Sequence, residues 1–128
     1  NVYVTSGSTD NVSVIDVATK NVTATVPVGD NPKGIAVTPD GRKIYVANFN
    51  SSNVSIINTA NNTVQETIDV GKSPYGIAVT PDGTKIYVVN DHDNSISIID
   101  TETNNVIANV TVGNLPKAFG QFIGTLKN

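Results

Sequence analysis

Asp91-His92-Asp93 is the one place in the chain where chemistry-bearing side chains stand side by side. Two carboxylates and an imidazole are a set that ligates a metal or works as acid and base. His92 is the only histidine and cysteine is absent, so little remains for nucleophilic catalysis. Adjacent residues seldom aim at one centre, and aspartate favours turns. The triplet therefore reads first as a solvated loop, and no metal, cofactor or catalytic residue is assigned. Asp40 and Asp82 each sit inside Pro-Asp-Gly. Turn geometry accounts for them, because Pro fixes its own φ and Gly tolerates positive φ. No Ser-His-Asp order, phosphate loop or Cys/His metal spacing occurs. Asn-x-Ser/Thr begins at Asn11, Asn21, Asn50, Asn53, Asn61 and Asn109, each a candidate glycosylation acceptor.

A repeat must position these residues. Tyr3, Tyr45 and Tyr87 stand 42 residues apart, as do Gly29, Gly71 and Gly113, and Pro32, Pro74 and Pro116. Residues 29–48 and 71–90 agree at 15 of 20 positions. Each period holds four short β-branched runs: a first at 34–38 and 76–80; a second at 2–6, 43–48 and 85–90; a third at 11–16, 53–58 and 95–100; a fourth at 22–28, 64–70 and 106–112. Val22, Ala24, Val26 and Val28 alternate with Thr23, Thr25 and Pro27, which predicts a half-buried strand with all four apolar residues on one face. Four strands repeated at this period make a propeller blade. The expected fold is all-β: a β-propeller of four-stranded antiparallel blades, three per chain. It forms one domain over 1–128, with repeats 2–43, 44–85 and 86–124. Tyr45 and Tyr87 are expected to pack between blades, with the hydroxyl reaching a partner.

In such a fold the second-to-third and fourth-to-first loops share one face. Here that face carries Asp10 and Asp30. It also carries the binding candidates Lys33, Lys72, Tyr75, Asp91, His92, Asp93 and Lys117. The segments 3-YVTS-6, 45-YVAN-48 and 87-YVVN-90, with their two VTPDG turns, resemble the YVTN family of β-propeller repeats. Ser6 departs from its last letter. The family includes archaeal surface-layer propellers, so the resemblance implies a structural or binding role at a cell surface.

The ends are out of phase. The chain opens on a second strand, and 118-AFGQFIG-124 aligns with the first strand 34-GIAVTPD-40 without its turn. Residues 118–124 are therefore expected to be a true terminal strand that completes the blade begun at 2–28. The assembly joint is placed at Tyr3, Phe119, Phe122 and Ile123. Propellers close with roughly 4–8 blades. Three blades imply either further blades before Asn1, where no initiator Met stands, or self-association of copies into a closed ring or a filament.

The net charge of −3 and the lack of a basic stripe argue against nucleic acid. No apolar run approaches the roughly 18 residues of a membrane span. Only 15% of residues are charged, and Asn, Thr, Ser and Val are abundant, which suits a secreted β protein. The expected function is a non-catalytic extracellular or cell-surface module, structural or binding a protein or glycan, that self-associates. The alternative is a propeller enzyme of lactonase or lyase type with its site at the channel mouth.

Overall fold

The computed structural model describes residues 1–124 and is built from eleven strands in three antiparallel sheets. Blade 1 has three strands: β1 (Val2–Ser6), β2 (Asn11–Ile15) and β3 (Val22–Pro27). Blade 2 orders β4 (Pro32–Val37), β5 (Lys43–Asn48), β6 (Asn53–Asn58) and β7 (Thr63–Asp69) from inside to outside. Blade 3 repeats this with β8 (Pro74–Val79), β9 (Lys85–Asn90), β10 (Ser95–Asp100) and β11 (Asn105–Thr111). The only helical piece among the described residues is a short 3-10 turn, Asp91–Asp93. Among the described residues no helix is long and apolar enough to cross a membrane.

Two apolar layers lie between the three blades. Val12, Val14, Val26, Ile44, Val46 and Ile57 fill the layer between blades 1 and 2. Tyr45, Val54, Ile56, Ile77, Ile86 and Ile99 belong to the layer between blades 2 and 3. Strand β5 serves both, because successive side chains leave opposite faces: Ile44 and Val46 one way, Tyr45 the other.

The fourth strand of each blade corrects the expectation of simple alternation. In every blade a β-bulge interrupts the pairing of third and fourth strands, between Val14 and Ile15, Ile56 and Ile57, and Ile98 and Ile99. The extra residue turns what precedes it to the other face. Val26 is therefore buried in the first layer, whereas Val22 is 59% exposed on the far side of blade 1. Likewise Ile68 packs toward blade 3 while Val64 packs toward blade 1.

Side chains close the turns. Asp82 accepts from the Thr84 backbone N–H at 3.0 Å and from the Thr80 and Thr84 hydroxyls at 2.7 and 2.8 Å, and its pKa falls to about 2. Asp40 clasps Arg42 N–H and Thr38 in the same way, and its carboxyl too is held below the usual range. Gly41 and Gly83 take φ of 72° and 75°, the left-handed region that glycine adopts without strain. The motif asparagines tie second strands to third strands. Asn48 Nδ2 donates to Asn53 Oδ1 and Ser55 Oγ, both at 2.8 Å, and Asn90 Nδ2 donates to Ser95 and Ser97 Oγ at 3.1 and 2.9 Å.

Residues 118–124 do not form the expected strand, and they make no pairing with 2–6 within the chain. They lie instead alongside β8, where Gln121 Nε2 donates to the Val79 carbonyl at 3.0 Å. Tyr3, half-buried, packs against the layer between blades 1 and 2.

Tyr45 fulfils the expectation of a tyrosine between blades. It is fully buried, and its hydroxyl donates to Asn104 Oδ1 of the next blade at 3.0 Å. Burial, with smaller contributions from the carboxylates of Glu66, Asp100 and Asp40, pushes its pKa from 10.0 up to about 12. In the unfolded chain this phenol ionises first. The contribution to stability is intact below pH 10 and is lost as pH rises through 12. Thermal or denaturant melts across that window should show the wild type losing about 2–3 kcal/mol more than Tyr45→Phe. Parallel losses in the two proteins would contradict the buried hydroxyl.

Candidate functional site at the channel mouth

The inner strands β4 and β8 approach closely enough to exclude side chains between them. A Cβ on Gly34 would collide with the Tyr75 carbonyl oxygen, and one on Gly76 with that of Ala118. The residues next to these glycines, Lys33 and Tyr75, are thereby brought to one mouth. The second-to-third loops are fastened to the same place by backbone bonds. Phe49 N–H donates to Asn31 O at 3.1 Å, Asp91 N–H to Ser73 O at 3.0 Å and His92 N–H to Lys72 O at 3.2 Å.

Aromatic rings and ammonium groups meet there. Phe49 lies edge-to-face with Tyr75 and with His92, both at 5.9 Å between centroids, and Tyr75 with Phe119 at 5.4 Å. Lys33 Nζ stands 6.0 Å from the Phe49 centroid and 5.9 Å from that of Tyr75, and Lys117 Nζ stands 5.6 Å from Tyr75. Each ammonium is thus within cation–π reach of Tyr75.

The triplet does not converge. Asp91 is 3% exposed and turns inward, where its Oδ2 pairs with the Lys117 ammonium and its Oδ1 is buried without a partner. His92 is exposed beside Phe49, and exposed Asp93 lies against Gly71 instead. Among the described residues no three His, Cys, Asp or Glu side chains gather as a metal site would require. Lys72 and Asp30 are exposed and fasten the loops through their backbone carbonyls, which accept from His92 N–H and Asn50 N–H at 3.2 Å, and Asp10 is engaged through Oδ1 with the Asn31 N–H at 2.8 Å. Lys33, Tyr75, Asp91, His92 and Lys117 are brought together, and Lys72 and Asp93 are not.

Sequence reasoning passed over Phe49 and gave Phe119 to the joint. The available signal for Phe49 was a lone aromatic in an otherwise polar loop, at the repeat position that Asp91 occupies 42 residues on. Below the cluster opens a cavity of about 350 Å³, lined by Thr5, Lys33, Tyr75, Phe119 and the backbone of several glycines. Among the described residues no carboxylate lines it. Lys117 is neutralised by Asp91, but Lys33 has no carboxylate partner among the described residues.

Comparison with known proteins agrees with this architecture. The sequence matches the description "YNCE-like beta-propeller" over residues 1–82. No curated protein sequence matches the chain. Among solved structures, hydrazine synthase of Kuenenia stuttgartiensis is 31% identical with a TM-score of 0.87, over 91% of this chain and 34% of that one. The dihydro-heme d1 dehydrogenase NirN is 21% identical with a TM-score of 0.75, over 84% of this chain and 23% of that one. A protein of unknown function from Desulfotomaculum acetoxidans DSM 771 is 24% identical with a TM-score of 0.73, over 83% of this chain and 36% of that one. The last two likenesses concern the fold alone. The chain spans between about a quarter and about a third of the length of these three structures. With the family match covering more than half of its length, the chain belongs to the YNCE-like β-propeller family.

Proposed function

We propose that this arc of blades is a non-catalytic binding module displayed outside the cell, with the channel mouth as its binding face. The observation that carries the reading is Lys33, an ammonium without a carboxylate partner among the described residues, at a cavity walled by the rings of Tyr75 and Phe119. A small carboxylate with a flat unsaturated body suits those walls. Its anion would meet Lys33 and its body would lie against the rings. The alternative reading, a lactonase- or lyase-type enzyme, needs acid and base groups converging on the mouth. The inward turn of Asp91 and the divergence of His92 and Asp93 favour binding over such chemistry. The likeness to part of hydrazine synthase favours a second role, as a propeller portion of a longer enzyme whose chemistry lies elsewhere.

The surface assignment, including membership of a surface layer, rests on the YVTN-like motifs and the sequons. Asn21, Asn50, Asn61 and Asn109 are exposed, whereas Asn11 and Asn53 are half-buried and Asn53 accepts a bond from Asn48. In material from the native source, peptide mass spectrometry should find sugar on at least one exposed asparagine and none on Asn53. Unmodified asparagines throughout would remove the support that the sequons lend to an extracellular place.

The binding face can be probed with benzoate. Its titration should shift the Tyr75 and Phe119 ring resonances saturably, in the millimolar range set by so few atoms. Lys33→Gln should weaken this by roughly tenfold, the worth of a charged hydrogen bond, and Lys72→Gln should leave it unchanged. No saturable shift, or equal binding by Lys33→Gln, would remove the reading.

A further inference from the structure

The motif asparagine of each four-stranded blade is a buried amide that the protein satisfies on one side only. Asn48 and Asn90 are both 0% exposed and stand 42 residues apart. Each Nδ2 makes two bonds to the third strand. Asn48 Oδ1 and Asn90 Oδ1 find no donor among the described residues. Turning either amide over would only exchange an orphaned oxygen for an orphaned nitrogen. A buried polar atom in that position has given up its hydration for nothing. Because the same half is left over in both copies, the feature belongs to the repeat. Both asparagines are enclosed by blades on the page, at the seam of blades 1 and 2 and at the seam of blades 2 and 3.

The neighbouring backbone explains why no protein donor arrives. Asn48 pairs with Pro32 on the inner strand and Asn90 with Pro74, and proline has no N–H to give. The link from the preceding blade brings a glycine, which has no side-chain donor. A Cβ on Gly29 would lie 2.7 Å from Asn48 Cγ, and one on Gly71 would lie 2.7 Å from Asn90 Nδ2. Polar groups nevertheless collect at both places. Ser55 Oγ accepts from Asn48 and Ser95 Oγ from Asn90, and neither hydroxyl has an acceptor for its own proton among the described residues. The groups around each amide also line a cavity. It is about 300 Å³ beside Gly29, Asn53 and Ser55, and about 520 Å³ beside Gly71 and Ser95.

We propose that each seam binds one ordered water, which donates to the asparagine Oδ1 and accepts from the serine hydroxyl beside it. Water suits the place because it donates and accepts at once, so it completes the amide and the hydroxyl together. A metal cation cannot take up the serine proton. The cavity between blades 1 and 2 is also lined by no carboxylate among the described residues, so nothing there would neutralise a cation. The motif asparagine thus has a task that no aliphatic strand residue performs. One half of its amide ties β5 to β6, or β9 to β10, and the other half holds the water. Gly29 and Gly71 belong to the site, because a side chain there would push the amide out of place. The inference is independent of any ligand at the channel mouth.

A crystal structure of the 128-residue chain that resolves ordered solvent tests the proposal. One water should stand within hydrogen-bonding distance of Asn48 Oδ1 and another of Asn90 Oδ1, each as well ordered as the side chains around it. In solution, the Nδ2 protons of both residues should show direct cross-relaxation with water, of the sign that long residence gives. Asn48→Leu keeps the bulk and removes the amide. It should lose the water between blades 1 and 2 and keep the one at Asn90, whose signal also reports that the variant is folded. Should that variant not fold, the wild-type measurements decide alone. Ordered solvent missing from one or both amides overturns the proposal. So does a protein donor on either Oδ1, a metal ion in either place, or a folded Asn48→Leu that retains the water.

Discussion

A single four-stranded sheet with apolar side chains on both faces cannot bury them on its own, and everything else in this molecule follows from that constraint. Alternation along β5 sends Ile44 and Val46 to one neighbour and Tyr45 to the other. The bulge within the fourth strand does the same along that strand, sending Ile68 and Val64 of β7 to opposite sides. Burying each such aliphatic side chain is worth roughly 1.5–3 kcal/mol. Blade 2 collects this on both faces. The strict 42-residue step is the consequence, because each blade must present to the next the surface that the previous one presented to it.

The same stacking fixes the mouth. Glycine at the inner strands lets their backbones approach, so the side chains beside them, Lys33 and Tyr75, are held within 5.9 Å of ammonium to ring centroid. The loops above are free to vary on this support. Residues 49–52 read Phe-Asn-Ser-Ser where 91–94 read Asp-His-Asp-Asn, with no identity at any of the four positions. The departure supplies one ring, Phe49, against Tyr75, and one buried carboxylate, Asp91, to the Lys117 that stands near the same ring. Lys117 is paired with Asp91, and Lys33 has no carboxylate partner among the described residues. The polarity of the site is therefore set by loop substitutions, and its geometry by the repeat.

Most of the fold was legible because strands, turns and period are local. Pro-Asp-Gly marked the hairpins, and every second and third strand begins where the repeat placed it. The bulges were not legible. Their effect is a change of face after one residue, and nothing in 22-VTATVPV-28 reports it, since Val occupies both kinds of position. At the site, the sequence grouped Asp91, His92 and Asp93 by adjacency. Burial separated them, because only Asp91 could reach Lys117, 26 residues on. Residues 118–124 were recognised as a first strand by alignment. Their resting place beside β8 matches that phase, but a strand needs a partner edge, and blade 1 of the same chain lies on the far side of blade 2.

The central claim is that blades are held by their neighbours and not by their own sheets. Circular dichroism and amide dispersion of an isolated peptide spanning residues 32–69, the complete blade 2, test it most directly. The account predicts an unfolded spectrum with no cooperative melt, although all four strands and their three connecting turns are present. A folded, cooperatively melting peptide would contradict it.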